Sequence, residues 1–210
     1  MTQRSISGID SAWLPTVVLV ATVAQLAVAE WVPGIERFAD KAFGARLVAY
    51  PLMMLLVPAT WALVRARRGG TDPLPWAGFA WIMAPFLVDV TGNTLDLYDT
   101  IWWWDDANHA VNWLMLSLGT GLLLARGDVR PRWALALLVA GLGAALAIGW
   151  ELGEWWAFIR HGTELDTAYT DTLGDEALGT LGSIVAGVLV AIRAGTPEPS
   201  PPPRPPHPGR

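Results

Sequence analysis

The sequence lacks cysteine and has few charged residues. The absence of cysteine among its 210 residues excludes disulfides, thiolate metal sites and redox-active cysteine pairs. Charged residues make up 16% of the chain, against about 25% in soluble domains, whereas 53% of the residues are hydrophobic. Lys41 is the single lysine and the net charge is -5, so the basic surface typical of nucleic-acid-binding proteins is missing. The composition therefore predicts a polytopic membrane protein rather than an ordinary soluble enzyme.

Six runs without charged residues predict an all-α bundle of six transmembrane helices. The predicted spans cover residues 11–31, 46–64, 74–95, 106–125, 133–156 and 174–193. About 20 helical residues cross the hydrocarbon core of a bilayer, so the shorter runs must continue into polar sequence at one end. The spans form one domain, residues 1–195, and we expect the first span to be retained rather than cleaved as a signal peptide. Eight prolines predict a disordered cytoplasmic tail over residues 196–210.

The distribution of arginine and lysine predicts that both termini are cytoplasmic. In this orientation ten of the 14 basic residues lie in the inner segments, and the expected location is the bacterial cytoplasmic (inner) membrane. The surrounding partner is then the lipid bilayer. Fifteen of the 19 acidic residues lie outside or at the outer ends of spans, which the orientation rule does not require. Function is therefore expected in this acidic layer.

The fourth and fifth predicted spans place polar groups at a similar depth near the outer face. Asp105 and His109 are four residues apart and Asn112 follows three residues later, so the three side chains share one helix face. Glu151 and Glu154 are three residues apart on the fifth span. Ionisable side chains at such depth normally face a bundle interior or a wet cavity.

The third and sixth predicted spans bring further carboxylates to the same layer. Asp89 lies in the outer part of the third span. Asp171 and Asp175 share a face if the segment before the sixth span is helical, and Gly179 and Gly182 continue that face without side chains. Those glycines would allow another helix or a ligand to approach the backbone closely.

Carboxylates with one imidazole and no thiol predict a site for a divalent cation, namely Mg²⁺, Mn²⁺, Fe²⁺ or Zn²⁺. The expected ligands are Asp105, His109, Glu151 and Asp175. Glu154 is a candidate general base, and Asp89, Asn112 and Asp171 are expected to support the ligands through hydrogen bonds. No glycine-rich phosphate loop is present, so no organic cofactor is indicated.

Other interpretations of the same residues remain open. Asp105 or Asp106 would suit the N-cap of the fourth span, and Asp175 that of the sixth. The polar cluster could be a structural hydrogen-bonded network in a non-enzymatic membrane component, or part of an ion- or proton-coupled transporter. As a cation site, it would serve lipid-linked or envelope substrates. The residues alone specify no reaction or small-molecule substrate.

The motifs resemble those of VanZ-like small integral membrane proteins and the related YjdF-like bacterial membrane proteins. The VanZ-like pattern opens one helix with Asp-Lys-x-x-His, matched here by Asp105 and His109, and ends another with Glu-x-x-Gln, matched by Glu151. Asp175 and Gly182 match a closing motif of Asp followed by Gly seven residues on. YjdF-like members are more similar, with Trp-Asp-x-x-x-His and Glu-x-x-Glu segments. The resemblance covers about residues 73–194 and implies membrane architecture and these site residues, without an established activity.

Overall fold

The computed structural model describes residues 11–39, 41–127, 129–157, 159–161 and 165–194, and the predicted tail lies outside these described residues. Within these ranges the regular secondary structure is helical, as predicted. The α-helices are α1 (Trp13–Trp31), α2 (Phe43–Arg67), α3 (Trp76–Thr94), α4 (Leu97–Thr100), α5 (Trp104–Leu124), α6 (Arg132–Ala157) and α7 (Leu165–Arg193). Three short 3₁₀ turns lie in the connections.

Four of the described helices are long and apolar enough to cross a membrane by length and composition. These segments are Trp13–Trp31, Phe43–Arg67, Arg132–Trp156 and Ala168–Arg193. The described part of the chain is therefore all-helical, with four candidate membrane spans. Helices α3 and α5, of 19 and 21 residues, are not among the four, so the count of six spans and the orientation of the termini stay predictions.

The helix starts differ from the predicted capping arrangement. Helix α5 begins at Trp104, with Trp103 at the N-cap and no side-chain capping bond, so Asp105 and Asp106 occupy the first turn instead. Negative charges in a first turn still interact favourably with the helix dipole. Helix α7 begins at Leu165, so Asp175 lies inside the helix, and its expected role as an N-cap is wrong. Because the segment that contains Asp171 and Asp175 is helical, as their shared face required, the two residues lie one turn apart on α7.

Two apolar clusters lie on opposite sides of α5. One cluster, from α1, α2 and α3, includes the fully buried Leu26, Met54 and Val90. The other, from α6 and α7, contains Leu135 and Val190 among its members. Helix α5 packs against both α3 and α7 between them. In lipid such packing is stabilised by close van der Waals contact rather than by exclusion of water from apolar surfaces.

Small residues let α5 approach its neighbours closely. A Cβ atom at Gly182 of α7 would meet the carbonyl oxygen of Ala110, and one at Gly119 of α5 would lie 2.8 Å from the backbone nitrogen of Ile82. The buried Ser117 donates a hydrogen bond of 2.9 Å to Ser183 across the α5–α7 contact. The expectation that Gly182 permits close approach of a helix is confirmed. This contact places Asp175 beside the first turns of α5.

Candidate functional site

All eight residues predicted to form or support the site line one cavity of about 620 Å³. They are Asp89, Asp105, His109, Asn112, Glu151, Glu154, Asp171 and Asp175. The C-terminal parts of α3 and α6 and the N-terminal parts of α5 and α7 supply them, so one end of the bundle carries the polar layer. Asp171 is exposed, whereas Glu151 and Asp175 are buried.

The two ring nitrogens of His109 have different surroundings. Nδ1 lies 2.9 Å from an oxygen of Asp175 and 3.2 Å from the backbone carbonyl oxygen of Asp105, both within hydrogen-bond range. Nε2 lies 3.5 Å from Oε1 of Glu151, which is too long for a hydrogen bond. These distances favour the tautomer in which Nδ1–H donates to Asp175 and Nε2 carries a lone pair toward Glu151.

Two polar atoms near this histidine are buried without a hydrogen-bond partner among the described residues. One is Oε1 of Glu151, whose side chain is only 4% exposed, and the other is Oδ1 of Asn112. Buried polar atoms normally have a partner, and leaving one unsatisfied costs about 1–3 kcal/mol. Both residues line the cavity. The cavity therefore offers two buried acceptors to a ligand.

His109 belongs to two groups of side chains with the composition and spacing of a metal site. One group consists of His109, Asp105 and Asp175, and the other of His109, Glu151 and Glu154. Within each group the potential ligand atoms lie within 4.8 Å of one another. The structure thus brings together the four residues predicted as ligands and Glu154, with the imidazole between the two groups.

Asp89 forms a separate cluster in the same cavity. Its carboxylate accepts hydrogen bonds from Arg46 at 2.6 Å, from the Tyr50 hydroxyl at 2.5 Å and from the Tyr98 hydroxyl at 2.8 Å. The amide of Asn93 donates a fourth, at 3.2 Å. Asp89 is in neither His109 group, so within the described residues it stabilises the packing of α2, α3 and α4.

A chain of hydrogen bonds connects the Asp89 cluster to Asn112. The Asn108 amide donates to the Tyr98 hydroxyl, and the Asn112 amide donates to Oδ1 of Asn108 at 3.0 Å. Asn112 thereby has a fixed orientation, with Oδ1 left as a buried acceptor. Asp89 and Asn112 were predicted to support the ligands through hydrogen bonds. These hydrogen bonds connect them to each other's neighbours and not directly to His109.

The sequence interpretation missed Arg46, Tyr50, Tyr98 and Asn108. Arg46 lies at the edge of a predicted apolar span, and its charge at that depth was a usable signal. Tyr50 lies in a predicted apolar span, and Tyr98 lies in an acidic, tryptophan-rich segment whose aspartates and histidine were the evident features. Their role depends on tertiary contacts with Asp89, which no local spacing reveals.

Lys41 connects the α1–α2 loop to the end of α3. It contacts Asp96 at 2.5 Å and Asp99 at 2.7 Å. Burial alone would lower the pKa of Lys41, but its hydrogen bonds with the two carboxylates raise it. The hydrogen bond from Lys41 lowers the pKa of Asp96. Asp96 has a left-handed backbone (φ 64°), which Asp tolerates better than most residues.

The Lys41 contacts predict a pH-dependent contribution to stability. Their stabilisation is lost as the pH falls through the lowered pKa of Asp96, below 3.8, and as it rises through the raised pKa of Lys41, above 10.5. The difference in unfolding temperature between the wild type and Lys41→Met should therefore be constant from about pH 5 to 9 and shrink outside that range. Thermal unfolding in detergent over a pH series measures it. A difference that varies through neutral pH would contradict this assignment.

Comparison with known proteins identifies a family. No curated protein and no solved structure shows significant similarity to the chain. A family model described as "Predicted membrane protein (DUF2238)" matches residues 13–195, which includes all seven helices. Because the match covers nearly the whole chain, the protein belongs to this predicted membrane protein family, DUF2238.

Proposed function

We propose that the protein binds a divalent cation at the His109 end of the bundle, through Nε2 of His109 and the carboxylates of Glu151 and Glu154. The observation that carries this proposal is the 3.5 Å separation between Nε2 and a buried Glu151 oxygen without a hydrogen-bond partner. Two ligands on one ion, with bonds of about 2.1 Å, lie about 3.0–3.4 Å apart. The separation suits shared coordination better than a hydrogen bond.

Asp175 has a supporting role in this proposal. A metal-binding histidine usually donates its other ring N–H to a carboxylate or carbonyl, which fixes the tautomer and the ring orientation. Asp175, 2.9 Å from Nδ1, and the Asp105 carbonyl supply both kinds of acceptor. Glu154 then holds the cation instead of acting as a general base. The competing arrangement is the other group, in which Asp105 and Asp175 join His109 as ligands; both were predicted as ligands from the sequence, together with His109 and Glu151.

The donor set favours Mn²⁺, Fe²⁺ or Zn²⁺ among the divalent cations. One imidazole with two carboxylates suits borderline metals, whereas Mg²⁺ prefers oxygen ligands and retains its waters. Three protein ligands leave coordination positions for water or substrate. This arrangement is consistent with the resemblance to YjdF-like proteins, whose Trp-Asp-x-x-x-His and Glu-x-x-Glu segments match His109, Glu151 and Glu154, whereas the VanZ-like pattern has Gln at the position of Glu154.

We also propose that α3 and α5 cross the membrane, giving six spans with cytoplasmic termini. Both helices pack against long apolar helices, α1 for α3 and α7 for α5, so lipid need not contact their polar faces. The N-terminal end of α3 and the C-terminal end of α5, which are the ends away from His109, lie near an excess of arginine. This excess supports a cytoplasmic location for those two ends. The cation site would then face outward from the bacterial cytoplasmic membrane.

Cation binding by matched variants distinguishes the two ligand arrangements. Glu154→Gln should abolish stoichiometric Mn²⁺ binding to purified protein, whereas Asp175→Asn should weaken it about 10- to 100-fold, the effect typical of a supporting carboxylate. Isothermal titration and elemental analysis give the affinity and the stoichiometry.

Asp106→Asn is the control, because Asp106 is exposed beside Asp105 and belongs to neither group. If Asp105→Asn abolishes binding and Glu154→Gln does not, the cation lies on the Nδ1 side, with Asp105 and Asp175. If the wild type binds no cation, the cluster is a structural polar network.

A further inference from the structure

The cavity extends well beyond the proposed cation site. A hydrated cation occupies only part of 620 Å³, a volume typical of sites for organic ligands. The remaining wall is apolar and includes Met53, Phe86, Leu116, Leu146 and Gly149. One continuous space therefore joins a cluster of carboxylates to a hydrocarbon-like surface.

The apolar part of the cavity is lined by residues of α2 and α6 that are also exposed on the surface of the bundle. Helix α2 packs against α1 and α3, whereas α6 packs against α5 and α7. Met53 of α2 and Leu146 of α6 both line the cavity. Their side chains are also 41% and 43% exposed, respectively, on the surface of the bundle. Gly149 also lines it, and a Cβ atom there would meet no atom within 4 Å.

In a bilayer, the apolar part of the cavity would lie at the depth of the lipid chains. Met53 is ten residues from the start of α2, about 15 Å along it, and Gly149 is eight residues from the end of α6, about 12 Å along it. Both helices are among those long and apolar enough to cross a membrane. A bilayer with a hydrocarbon core of about 30 Å would thus place this part of the cavity in its hydrocarbon region.

The charge of the cavity wall selects the polar part of a ligand. Seven carboxylates line the cavity against two basic side chains and His109. Arg46 contacts Asp89 and Lys41 contacts Asp96 and Asp99, so both basic groups are already ion-paired. A divalent cation at the His109 site would leave the wall acidic. A ligand with a positively charged group fits this wall, whereas a purely anionic one is repelled.

We infer that the cavity binds a membrane lipid whose head group carries an ammonium ion. The head group lies among the carboxylates and an acyl chain leaves the cavity between Met53 and Gly149 into the bilayer. This inference uses the same cavity as the proposed cation site and gives the class of molecule that the site serves. It does not require the cation itself, so the two are tested separately.

Blocking the opening tests this inference. The protein is reconstituted into nanodiscs with equal amounts of phosphatidylethanolamine and phosphatidylglycerol, and the retained lipid is measured by native mass spectrometry. The wild type should retain phosphatidylethanolamine selectively, and Gly149→Trp should retain about tenfold less. Gly141→Trp is the matched control, because Gly141 is exposed two turns away on α6, has no atom within 4 Å of a Cβ position and does not line the cavity. Met53→Trp blocks the opening from α2 and replaces the first variant if that variant does not fold.

The outcomes separate this inference from the proposed function. Equal retention of phosphatidylethanolamine by Gly149→Trp and Gly141→Trp would overturn the lateral opening. Equal retention of the two lipids by the wild type would overturn the ammonium head group. Selective retention that depends on Gly149, in a protein that binds no Mn²⁺, would support the lipid site and refute the cation site. Mn²⁺ binding by a protein that retains no lipid would support the cation site and refute the lipid site.

Discussion

Replacing His109 with asparagine should lower the affinity for Mn²⁺ by more than about 100-fold while the protein stays folded, because loss of a ligand exceeds the 10- to 100-fold effect of losing its support. In the wild type, Nδ1 of His109 lies 2.9 Å from an oxygen of Asp175. The amide nitrogen of the asparagine would occupy the position of Nδ1 and so preserve a hydrogen-bond donor to Asp175. It has no counterpart of Nε2, the atom facing Glu151. Titration of Mn²⁺ into both purified proteins measures the change.

Two further variants give this experiment its controls. His109→Gln places an amide near the position of Nε2 instead and should bind the cation more tightly than His109→Asn. Asp106→Asn removes an exposed charge of the same first turn and should bind Mn²⁺ like the wild type. Wild-type affinity in His109→Asn would show that Nε2 is not a ligand.

The second large effect is expected on stability, from Asp89→Ala. Asp89 accepts hydrogen bonds from Arg46, Tyr50 and Tyr98, and it is the carboxylate with which Arg46 pairs. The Arg46 and Asp89 side chains are 22% and 18% exposed, so removing the carboxylate leaves a mostly buried guanidinium without its counter-charge. We expect the free energy of unfolding to fall by about 3 kcal/mol, as when one partner of a buried pair is lost.

Matched variants separate charge from hydrogen bonding at Asp89. Tyr98→Phe removes one hydrogen bond to the carboxylate and should cost about 1 kcal/mol. Asp99→Asn removes a carboxylate that is 64% exposed in its pair with Lys41 and should cost less than about 1 kcal/mol. Unfolding by denaturant in mixed micelles measures all three variants. A cost for Asp89→Ala no larger than that for Asp99→Asn would contradict the described role of Asp89.

Local spacing in the sequence was informative where the helix was regular. Asp105, His109 and Asn112 repeat with the period of a helix, and the structure places all three on the cavity wall. The prediction that Gly182 allows a close approach is confirmed by its contact with α5. Composition likewise predicted a membrane protein, which the family match confirms. Periodicity and composition both act through single helices, so a single sequence records them.

Other features depended on contacts between helices that the sequence does not record. The start of α7 at Leu165 was missed because the glycine and polar residues before Asp175 are typical of a turn, yet this segment is helical beside α5. The Asp89 cluster combines residues from three separate helices, and nothing local to Tyr50 or Tyr98 predicts their shared partner. The different surroundings of the two His109 nitrogens also required atomic positions.

Cation binding at Nε2 of His109 is tested most directly by locating the cation with anomalous X-ray diffraction from crystals of the protein grown with Mn²⁺. We expect one anomalous peak beside Nε2 of His109, within about 2.2 Å of that atom and of oxygens from Glu151 and Glu154. A peak beside Nδ1, between Asp105 and Asp175, would contradict the proposed ligands. Crystals without an anomalous peak in the cavity would contradict cation binding altogether.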